Sequence, residues 1–428
     1  MTHPLRLGIA GLGTVGVGVL RIIRQQAKLL SARTGRDITV SAVSARNKSK
    51  DRGVPLSGYA WEDDPVALAT RDDVDVFVEL MGGSDGPAKA ATEAALKAGK
   101  DVVTANKALL AMHGQELAEL AEANGRVIRY EAAVAGGIPI IKSLTEGLAA
   151  NEITRVMGVM NGSCNYILTR MQSTGLTYEQ VFDEANGLGY LEADPELDVG
   201  GIDAGHKLAI LSSIAFGTRV DFAGVELEGI GRIQIEDIRQ AADMGYRIKL
   251  LGVAQMTGRG LEQRMSPCLV PEHSPLGQLE GGTNMVVVEG HAVGQIVLRG
   301  AGAGEGPTAS AVMGDVCDIA RGIRLPVFGQ PADTLVAAKP AVSATPAPYY
   351  LRMGLDDRPG ALAKVTAALG DAGVSIHRMR QYDHENGNAP VLIVTHKTTR
   401  ADLCSALDKL NALPVVIEPP VALRIESV

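Results

Sequence analysis

The chain has 428 residues, more than one ordinary hydrophobic core can organise, so two or three domains are expected. Its 46% apolar and 21% charged content is typical of soluble globular proteins, and its net charge of −8 argues against a nucleic-acid partner. No run of about 18 apolar residues and no signal-like start is present, which argues against a membrane span. A cytoplasmic, multidomain α/β protein is predicted, with scattered cysteines that suit a reducing compartment: Cys164, Cys268, Cys317 and Cys404.

Residues 1–137 alternate short apolar runs with helical patterns. The strand candidates are 5–10, 38–44, 74–80, 101–104 and 126–131, and the clearest helices are 17–30 and 87–98. Strands that alternate with helices in this way indicate βαβ units and a parallel sheet. The pattern predicts a Rossmann-type domain over residues 1–137, with a return segment at about 307–336 whose helix begins near Thr308.

A glycine-rich motif follows the first strand and opens the first helix, which is the context that a dinucleotide fingerprint requires. Gly11 permits the tight turn, and Gly13 lets the backbone approach a pyrophosphate at the helix N-terminus. The alternative is a glycine turn with a purely structural role. The candidate cofactor-binding residues here are Gly11, Leu12, Gly13, Thr14, Val15 and Gly16.

The end of the second strand bears on the choice of cofactor. An NAD site usually has an acid there, which binds the ribose 2′-hydroxyl, whereas this chain has Arg46, with Lys48 and Lys50 close by. An arginine pairs well with a 2′-phosphate. NADP(H) is therefore the predicted preference, with NAD(H) as the alternative cofactor, unless Arg46 is an ordinary solvated loop residue.

Lys107 follows the strand 101–104, in the crevice where open α/β sheets bind ligands. It is a candidate acid or substrate clamp, although a lysine at the start of a helix is common for structural reasons. Thr104, which ends that strand, is counted with the candidate cofactor-binding residues.

Residues 138–306 mix strands with helices and predict an α+β domain for catalysis and dimerisation. The motif "NGSCN" offers Asn161 and Ser163 as small polar groups for a polar substrate. Cys164 raises a rival hypothesis, a thiol nucleophile for aldehyde oxidation. Such a cysteine needs a nearby base, and this segment contains no histidine.

The stretch "GYLEADPELDVGGIDAGHK" is rich in acids and ends on a lysine. Asp203 and Lys207 are four residues apart, so they share one face if a helix begins near Gly201. An adjacent carboxylate favours the charged ammonium, which suits a proton donor to a forming alkoxide. Glu192 and Asp198 could bind a substrate ammonium. The spacing of a Ca²⁺ loop is absent, and a solvated loop with one ion pair remains the alternative.

The last part of the chain contains a Pro/Ala-rich segment, 337–348, which predicts a linker. Residues 349–428 follow a βαββαβ order, with strands near 349–355, 374–381, 390–395 and 415–426 and helices near 361–372 and 400–411. This order predicts a ferredoxin-like unit.

These motifs, taken in order over residues 5–340, resemble homoserine dehydrogenase. The match is most specific from Gly189 to Lys207, and "GLGTVG", "TANKALL" and "GPTASAV" also fall in the family order. The family usually has "NGTTNYIL" where this chain has Ser163 and Cys164, so a hydroxyl is lost at position 164. The resemblance implies NAD(P)H-dependent interconversion of L-aspartate 4-semialdehyde and L-homoserine, in threonine, methionine and isoleucine biosynthesis from aspartate.

The resemblance also implies roles for particular residues. Lys207 would be the proton donor, and Lys107 would contact both substrate and cofactor. Glu192 would bind the substrate amino group beside the cofactor, with Asp198 and Asp203 supporting the substrate site. Gly189 and a glycine of "GAGAGEG", either Gly302 or Gly304, would enclose the cofactor. A monovalent-cation site, commonly sodium, would use mainly backbone carbonyls at Glu131, Val134, Gly136 and Ile138.

The C-terminal unit resembles an ACT domain, through Asp357, Pro359, Gly360 and Leu362 of "DDRPGALAKV". The resemblance implies feedback regulation by L-threonine and a homodimer or homotetramer; the alternative is a dimerisation module without a ligand. Two other functions stay open at this level. One is a phosphorylating semialdehyde dehydrogenase that uses Cys164, and the other is a non-catalytic NADP-binding amino-acid sensor.

Overall fold

The computed structural model describes residues 3–191, 194–382 and 388–428. Its strands are β1 Leu5–Ala10, β2 Ile38–Ser44, β3 Ala60–Trp61, β4 Val76–Glu79, β5 Asp101–Thr104, β6 Ile128–Arg129, β7 Ile153–Val159, β8 Glu226–Leu227, β9 Tyr246–Thr257, β10 Gly260–Pro271, β11 Thr283–Gly290, β12 Gly294–Ala301, β13 Tyr349–Asp356, β14 Ile376–Gln381, β15 Asn388–Thr395 and β16 Val416–Ile425. Its α-helices are α1 Thr14–Thr34, α2 Pro65–Ala69, α3 Pro87–Lys97, α4 Lys107–Ala123, α5 Ile140–Lys142, α6 Gly162–Thr174, α7 Tyr178–Gly187, α8 Glu196–Val199, α9 Ile202–Phe216, α10 Ile235–Asp243, α11 Glu305–Ala320, α12 Ala361–Asp371 and α13 Arg400–Asn411.

The N-terminal sheet has six strands in the order β3-β2-β1-β4-β5-β6, and every pairing in it is parallel. The centre is buried on both faces, which explains why β1, β4 and β5 are mostly apolar, with polar residues only near their ends. The predicted α/β fold with a dinucleotide-binding domain is confirmed. Strand β3 and helix α2 were missed, because two and five residues are too short to show a periodicity.

Helix α11 packs on this first sheet after the chain has passed through the central domain. It joins the same apolar core as α1, with Ala309, Val312 and Val316 buried against Leu20 and Ile23. The approach is close, because a Cβ on Gly18 of α1 would lie 2.9 Å from the Cβ of Ala309. Helix α11 overlaps the first part of the predicted return segment, about 307–336, and packs beside α1.

The second sheet contains strands of both the central and the C-terminal parts, in the order β12-β11-β7-β9-β10-β16-β13-β15-β14, with β8 paired to β10. Strands β13 to β16 with helices α12 and α13 form the expected βαββαβ unit, and their order β16-β13-β15-β14 is antiparallel throughout. A short parallel pairing of β10 with β16, Cys268 to Arg424 and Leu269 to Ile425, makes the two sheets continuous.

The proline-rich segment between the two units lies along β10 instead of crossing solvent. Leu261 N donates to Lys339 O at 2.8 Å, and Ala341 N donates to Leu261 O at 3.0 Å. Further on, Thr345 N donates to a carboxylate oxygen of Glu262 at 2.8 Å. The segment predicted as a linker is thus tied to the catalytic sheet, because prolines are compatible with an edge that makes only occasional hydrogen bonds.

Hydropathy and helix length bear on membrane insertion. Among residues 3–191, 194–382 and 388–428, none of the helices combines the length and apolar character needed to cross a bilayer.

Candidate functional site

A cavity of about 540 Å³ lies between the carboxyl edge of the first sheet and the central domain. Its walls come from many separate parts of the chain, among them those that contain Val15, Lys107, Asn161, Lys207 and Gly302. Ligands of open α/β sheets bind at this edge. The residues that the sequence singled out one by one therefore meet around one space.

Asp203 lies between two lysines at the cavity. Helix α9 begins after Gly201, whose φ is +81°, so Asp203 and Lys207 fall one turn apart as predicted. Lys207 Nζ donates to one carboxylate oxygen of Asp203 at 2.6 Å, and Lys107 Nζ is 2.8 Å from the other. Burial alone would raise the pKa of Asp203, but the two ammonium groups together lower it well below the ordinary value. The carboxylate stays ionised and fixes both ammonium groups.

Lys207 is buried, with 9% of its surface exposed, and its ammonium has two protein acceptors. Besides Asp203, Nζ donates to Met160 O at 2.9 Å. An ammonium has three donors. The third N–H is therefore available to an acceptor in the cavity that Lys207 lines.

Asn161 connects the lysine–carboxylate cluster to helix α6. Its Oδ1 accepts from Cys164 N at 2.8 Å and caps the helix, which is the usual role of Asn at this position. Its Nδ2 donates to Asp198 at 2.8 Å and lies 3.4 Å from Asp203. Asn161 therefore fixes the positions of the two carboxylates relative to each other.

Cys164 is fully buried behind Asn161, and its thiol donates to Asp198 O at 3.3 Å. Burial raises the pKa of this thiol well above its ordinary value. A buried, protonated thiol is poorly suited to nucleophilic attack. Cys164 keeps a hydrogen bond at the position where the family usually has threonine, so the loss of the hydroxyl is partly compensated.

Ser163 and Gly189 also line the cavity. Ser163 Oγ donates to Tyr190 O at 2.5 Å, and the Tyr190 ring stacks on Tyr166 with centroids 4.3 Å apart. Ser163 therefore anchors the acid-rich stretch to α6. Glu192, the predicted ligand of the substrate ammonium, lies outside the described residues.

The glycine-rich turn has the geometry that the fingerprint predicts. Gly11 has φ +100°, and a Cβ there would lie 2.3 Å from Leu80 O, so only glycine fits. A Cβ on Gly13 would meet nothing within 4 Å. Helix α1 starts after Gly13 without a side-chain cap, so its first backbone N–H groups are available to an anion.

Arg46 is exposed on a second cavity of about 580 Å³, which it shares with Gly13 and Lys50. A third cavity of about 490 Å³ shares Gly82 with the second and shares Lys107 and Asp203 with the first. The three spaces share lining residues and so connect Arg46 with Lys207 along the sheet edge.

Two further basic residues near Arg46 take roles that the sequence did not predict. Lys48 Nζ lies over the Trp61 ring, 5.7 Å from its centroid. Arg52, which was missed, donates to Leu12 O at 3.1 Å and to Asn47 O at 2.6 Å. Arg52 ties the loop after β2 to the glycine turn.

Thr104 is placed behind the cavity wall. It is fully buried, and its hydroxyl donates to the buried carboxylate of Glu79 at 2.6 Å. Glu79 also accepts from Met81 N at 2.7 Å. Thr104 therefore orders the loop that follows β4, and the hydroxyl of this predicted cofactor-binding residue does not face the cavity.

The residues predicted to hold a monovalent cation lie in the buried segment 131–138. The Glu131 carboxylate accepts from Ile141 N at 2.8 Å and Lys142 N at 2.9 Å, and burial raises its pKa to about 7. Both carboxylate oxygens of Glu131 are therefore already occupied by hydrogen bonds from backbone N–H groups. The carbonyls of Val134 and Gly136 accept no hydrogen bond from the described part of the chain. Unused carbonyls are suitable donors for a hard cation.

Two glycines beyond β12 close the cavity next to this segment. A Cβ on Gly136 would lie 2.4 Å from Gly302 O, and a Cβ on Gly302 would lie 2.0 Å from Asn284 Nδ2. Gly304, with φ +113°, precedes helix α11 and also lines the cavity. Both members of the predicted pair, Gly302 and Gly304, are thus on the cavity wall.

Asn284 and Lys249 were missed by the sequence. Asn284 lines the cavity, is 1% exposed, and its Oδ1 has no hydrogen-bond partner within the described ranges. Lys249 is buried, donates to Asn165 Oδ1 at 3.0 Å, and has a pKa lowered to about 8 by burial. The available signal was a polar residue beside an apolar run within a strand, since Asn284 opens "NMVVVEG" and Lys249 interrupts "YRIKLLGVA".

Comparison with family models covers most of the chain. Residues 139–317 match the model "Homoserine dehydrogenase", and residues 11–131 match "Homoserine dehydrogenase, NAD binding domain". Residues 349–415 match "ACT domain". A homoserine dehydrogenase of Neisseria gonorrhoeae is 44% identical over 99% of both chains.

Solved structures agree with these matches. A homoserine dehydrogenase from Thiobacillus denitrificans has a TM-score of 0.93 and 40% identity, covering 99% of this chain and 98% of that one. A hyperthermophilic archaeal homoserine dehydrogenase in complex with NADPH has a TM-score of 0.64 and 26% identity, covering 74% of this chain and 97% of that one. The chain therefore belongs to the homoserine dehydrogenase family of oxidoreductases, and it carries the family's NAD-binding and catalytic domains followed by an ACT domain.

Proposed function

We propose that the chain interconverts L-aspartate 4-semialdehyde and L-homoserine, with Lys207 as the proton donor. The observation that carries this proposal is the pair of ammonium groups, Lys207 and Lys107, held by Asp203 on the wall of a cavity that continues to the glycine-rich turn. When bound, the reduced nicotinamide cofactor supplies a hydride to the aldehyde carbon. The open space at Gly13 and the uncapped start of α1 fit its pyrophosphate.

Proton transfer follows from the donors of Lys207. As the aldehyde is reduced, negative charge grows on its oxygen, and the third N–H of Lys207 stabilises that charge before the proton moves across. Asp203 and Met160 O keep the nitrogen in place. In the reverse direction Lys207 must start neutral to accept the proton, so oxidation of L-homoserine is faster at alkaline pH.

The rest of the substrate is held by the acids and amides around Lys207. Asp198 and Asn161 support the site, and Lys107 contacts both substrate and cofactor. Glu192 binds the substrate ammonium. The support for the first three is their common position on the cavity wall, and the support for Glu192 is its place in the family motif.

NADP(H) is the preferred cofactor, and NAD(H) is the alternative. The exposed guanidinium of Arg46 shares a cavity with Lys50, Arg52 and the glycine turn, and such a basic group suits a 2′-phosphate. Ser44 and Ala45 stand where an NAD site would have an acid. A related archaeal enzyme has been solved with NADPH.

A monovalent cation, Na⁺, binds at the segment 131–138 through the carbonyls of Glu131, Val134, Gly136 and Ile138. The support is the pair of unused carbonyls at Val134 and Gly136. Because Gly136 approaches Gly302 closely, the cation would hold the segment against the cavity wall.

The ACT domain makes the enzyme sensitive to L-threonine, and the enzyme works as a homodimer or homotetramer in the cytoplasm. Four free cysteines, of which three are buried, suit a reducing compartment. The continuity of the two sheets through β10 and β16 gives the ACT domain a mechanical connection to the catalytic domain.

A spectrophotometric assay at a wavelength that reports the reduced nicotinamide tests the central proposal. L-Homoserine is offered with NADP⁺ or NAD⁺, with and without phosphate. Oxidation without phosphate, and faster with NADP⁺, is expected. Phosphate-dependent oxidation of L-aspartate 4-semialdehyde, without oxidation of L-homoserine, would favour the phosphorylating dehydrogenase, and no turnover of either compound with either cofactor would favour the non-catalytic sensor.

A further inference from the structure

The side-chain amide of Asn284 lines the catalytic cavity and is almost completely buried, with 1% of its surface exposed. Its Oδ1 accepts no hydrogen bond, and within the described ranges its Nδ2 donates none. A buried amide without partners destabilises a fold, because it loses its hydrogen bonds to water and gains none in return. The contacts of the folded chain therefore give no reason for a polar residue at this position.

The backbone that carries this amide is fixed on both sides. In strand β11, Asn284 lies opposite Gly300 of β12. The turn before the strand is held by Asn165, whose Nδ2 donates to Gly281 O at 2.7 Å, and the buried Lys249 donates to Asn165 Oδ1 at 3.0 Å. The amide is thus placed at the cavity by its surroundings.

Two glycines leave the space that the amide occupies. A Cβ on Gly302 would lie 2.0 Å from Asn284 Nδ2, and a Cβ on Gly162 would lie 3.5 Å from Asn284 Oδ1. Gly302 precedes helix α11, which packs on the dinucleotide-binding domain, whereas Gly162 begins α6 beside Asn161 and the lysine cluster. Asn284 therefore lies where the nucleotide-binding part of the cavity meets the substrate part.

The unpaired atoms of Asn284 indicate which ligand group they would meet. An ammonium offers only donors and a carboxylate only acceptors, so either would satisfy one end of the amide and leave the other unpaired. A carboxamide offers a carbonyl acceptor and N–H donors together, and it can satisfy both ends. The nicotinamide ring carries such a carboxamide next to the carbon that exchanges the hydride.

We infer that Asn284 binds the carboxamide of the nicotinamide ring and thereby fixes the rotation of the ring toward the substrate. The inference rests on the proposed dehydrogenase function and deepens it by naming a cofactor-contacting residue. It does not depend on the choice between NADP(H) and NAD(H), because both carry the same carboxamide.

The test uses the full-length enzyme and the substitution Asn284→Leu, because leucine has the same branching as asparagine but no polar atoms. Calorimetry without substrate should show a dissociation constant for NADP⁺ at least about tenfold higher than that of the parent enzyme, since two hydrogen bonds are lost. The matched control is Gln263→Met, which removes another buried amide whose Oε1 is unpaired but which does not line the cavity. Its dissociation constant should stay within about twofold of the parent value.

A cofactor analogue tests the contact itself. The 3-acetylpyridine analogue of NADP⁺ has a methyl group where the carboxamide has its amino group, so it cannot donate to Asn284. The parent and Gln263→Met should bind NADP⁺ more tightly than the analogue. In Asn284→Leu this preference should fall at least about fivefold, because the amide that distinguishes the two ligands is absent.

Stability gives a readout that a merely structural amide would not produce. Without cofactor, Asn284→Leu should unfold at the same denaturant concentration as the parent or at a higher one, since it replaces an unpaired buried amide by an apolar group of the same shape. Added NADP⁺ should raise the midpoint of the variant less than that of the parent.

The contrary outcomes are distinct. A lower midpoint with unchanged NADP⁺ binding would make Asn284 structural, and a raised KM for L-homoserine with unchanged NADP⁺ binding would place it on the substrate; either overturns the inference while the proposed reaction stands. A parent enzyme that binds neither NADP⁺ nor NAD⁺ overturns it as well. If the binding results are as expected but L-homoserine is not oxidised, the proposed reaction fails and the inference stands.

Discussion

Lys207→Ala gives the most direct test of the proton donor. In the native enzyme the Lys207 ammonium donates two of its three N–H groups to Asp203 and Met160 O, and the third is available to the substrate oxygen. A positioned acid or base contributes about 10²- to 10⁴-fold to a rate. This corresponds to about 3–5 kcal/mol of transition-state stabilisation. We expect kcat for L-homoserine oxidation to fall by that factor.

The cost of Lys207→Ala to folding can be measured separately from its cost to catalysis. Without Lys207, Asp203 keeps its contact with Lys107 at 2.8 Å, so the buried carboxylate is not left without a counter-charge. The loss is then two charge-assisted hydrogen bonds, to Asp203 and to Met160 O, each about 1.5–3 kcal/mol of unfolding free energy, and it is partly offset because a buried ammonium no longer has to be desolvated. Chemical denaturation measures this value and shows whether the variant is folded at the assay temperature.

The assay follows NADPH formation from L-homoserine at several pH values, with Lys207→Arg as the matched control. Arginine keeps the positive charge but cannot act as the base, because it stays protonated in proteins. Both variants should therefore be slow, and small primary amines added to Lys207→Ala should restore part of the rate. A folded Lys207→Ala enzyme that loses less than about tenfold in kcat would refute the assignment of Lys207 as proton donor.

Three further substitutions test other parts of the site. Arg46→Ala should raise KM for NADP⁺ at least about tenfold and leave KM for NAD⁺ unchanged, with the exposed Lys28→Ala as control; equal effects on both cofactors would contradict the 2′-phosphate role. Cys164→Ser should keep kcat within about threefold, because serine can donate to Asp198 O as the thiol does, whereas abolished activity would support a nucleophile. The lowered pKa of Lys249, about 8, predicts that its contribution to stability rises with pH between about 8 and 10.5, where the folded state has lost a proton that the unfolded state keeps. Unfolding free energies of Lys249→Met over that range should lack this increase, and an identical slope in both proteins would contradict it.

The sequence predicted best where local pattern and tertiary burial agree. Strands 5–10, 38–44 and 101–104 were placed at their observed bounds, because most of their residues face apolar neighbours on both sides of the sheet. Asp203 and Lys207 were paired for an equally local reason, since one turn of helix separates them. The strand at 126–131 is shorter than predicted, because Glu131 already begins a 3₁₀ turn.

Contacts between distant parts of the chain were beyond local reasoning. The ion pair of Lys107 with Asp203 joins two domains, and only the family order suggested that the two residues meet. Arg52 acts through backbone carbonyls of Leu12 and Asn47, for which no side-chain pattern exists. The pairing of β10 with β16 involves two residue pairs, which are too few to produce a recognisable sequence pattern.

Residues of the acid-rich stretch line two different cavities. Of its described acids, Asp203 is held by two ammonium groups and Asp198 by an amide, so these two carboxylates have protein partners. Helix α8 lies between the lysine cluster and another cavity, which α13 and β16 also line: Glu196 and Val199, three residues apart, line that cavity, while Asp198 accepts from Asn161 on the catalytic side. So short a helix depends on its tertiary contacts for stability, and its contact with Asn161 therefore fixes the position of Asp198 beside the lysines.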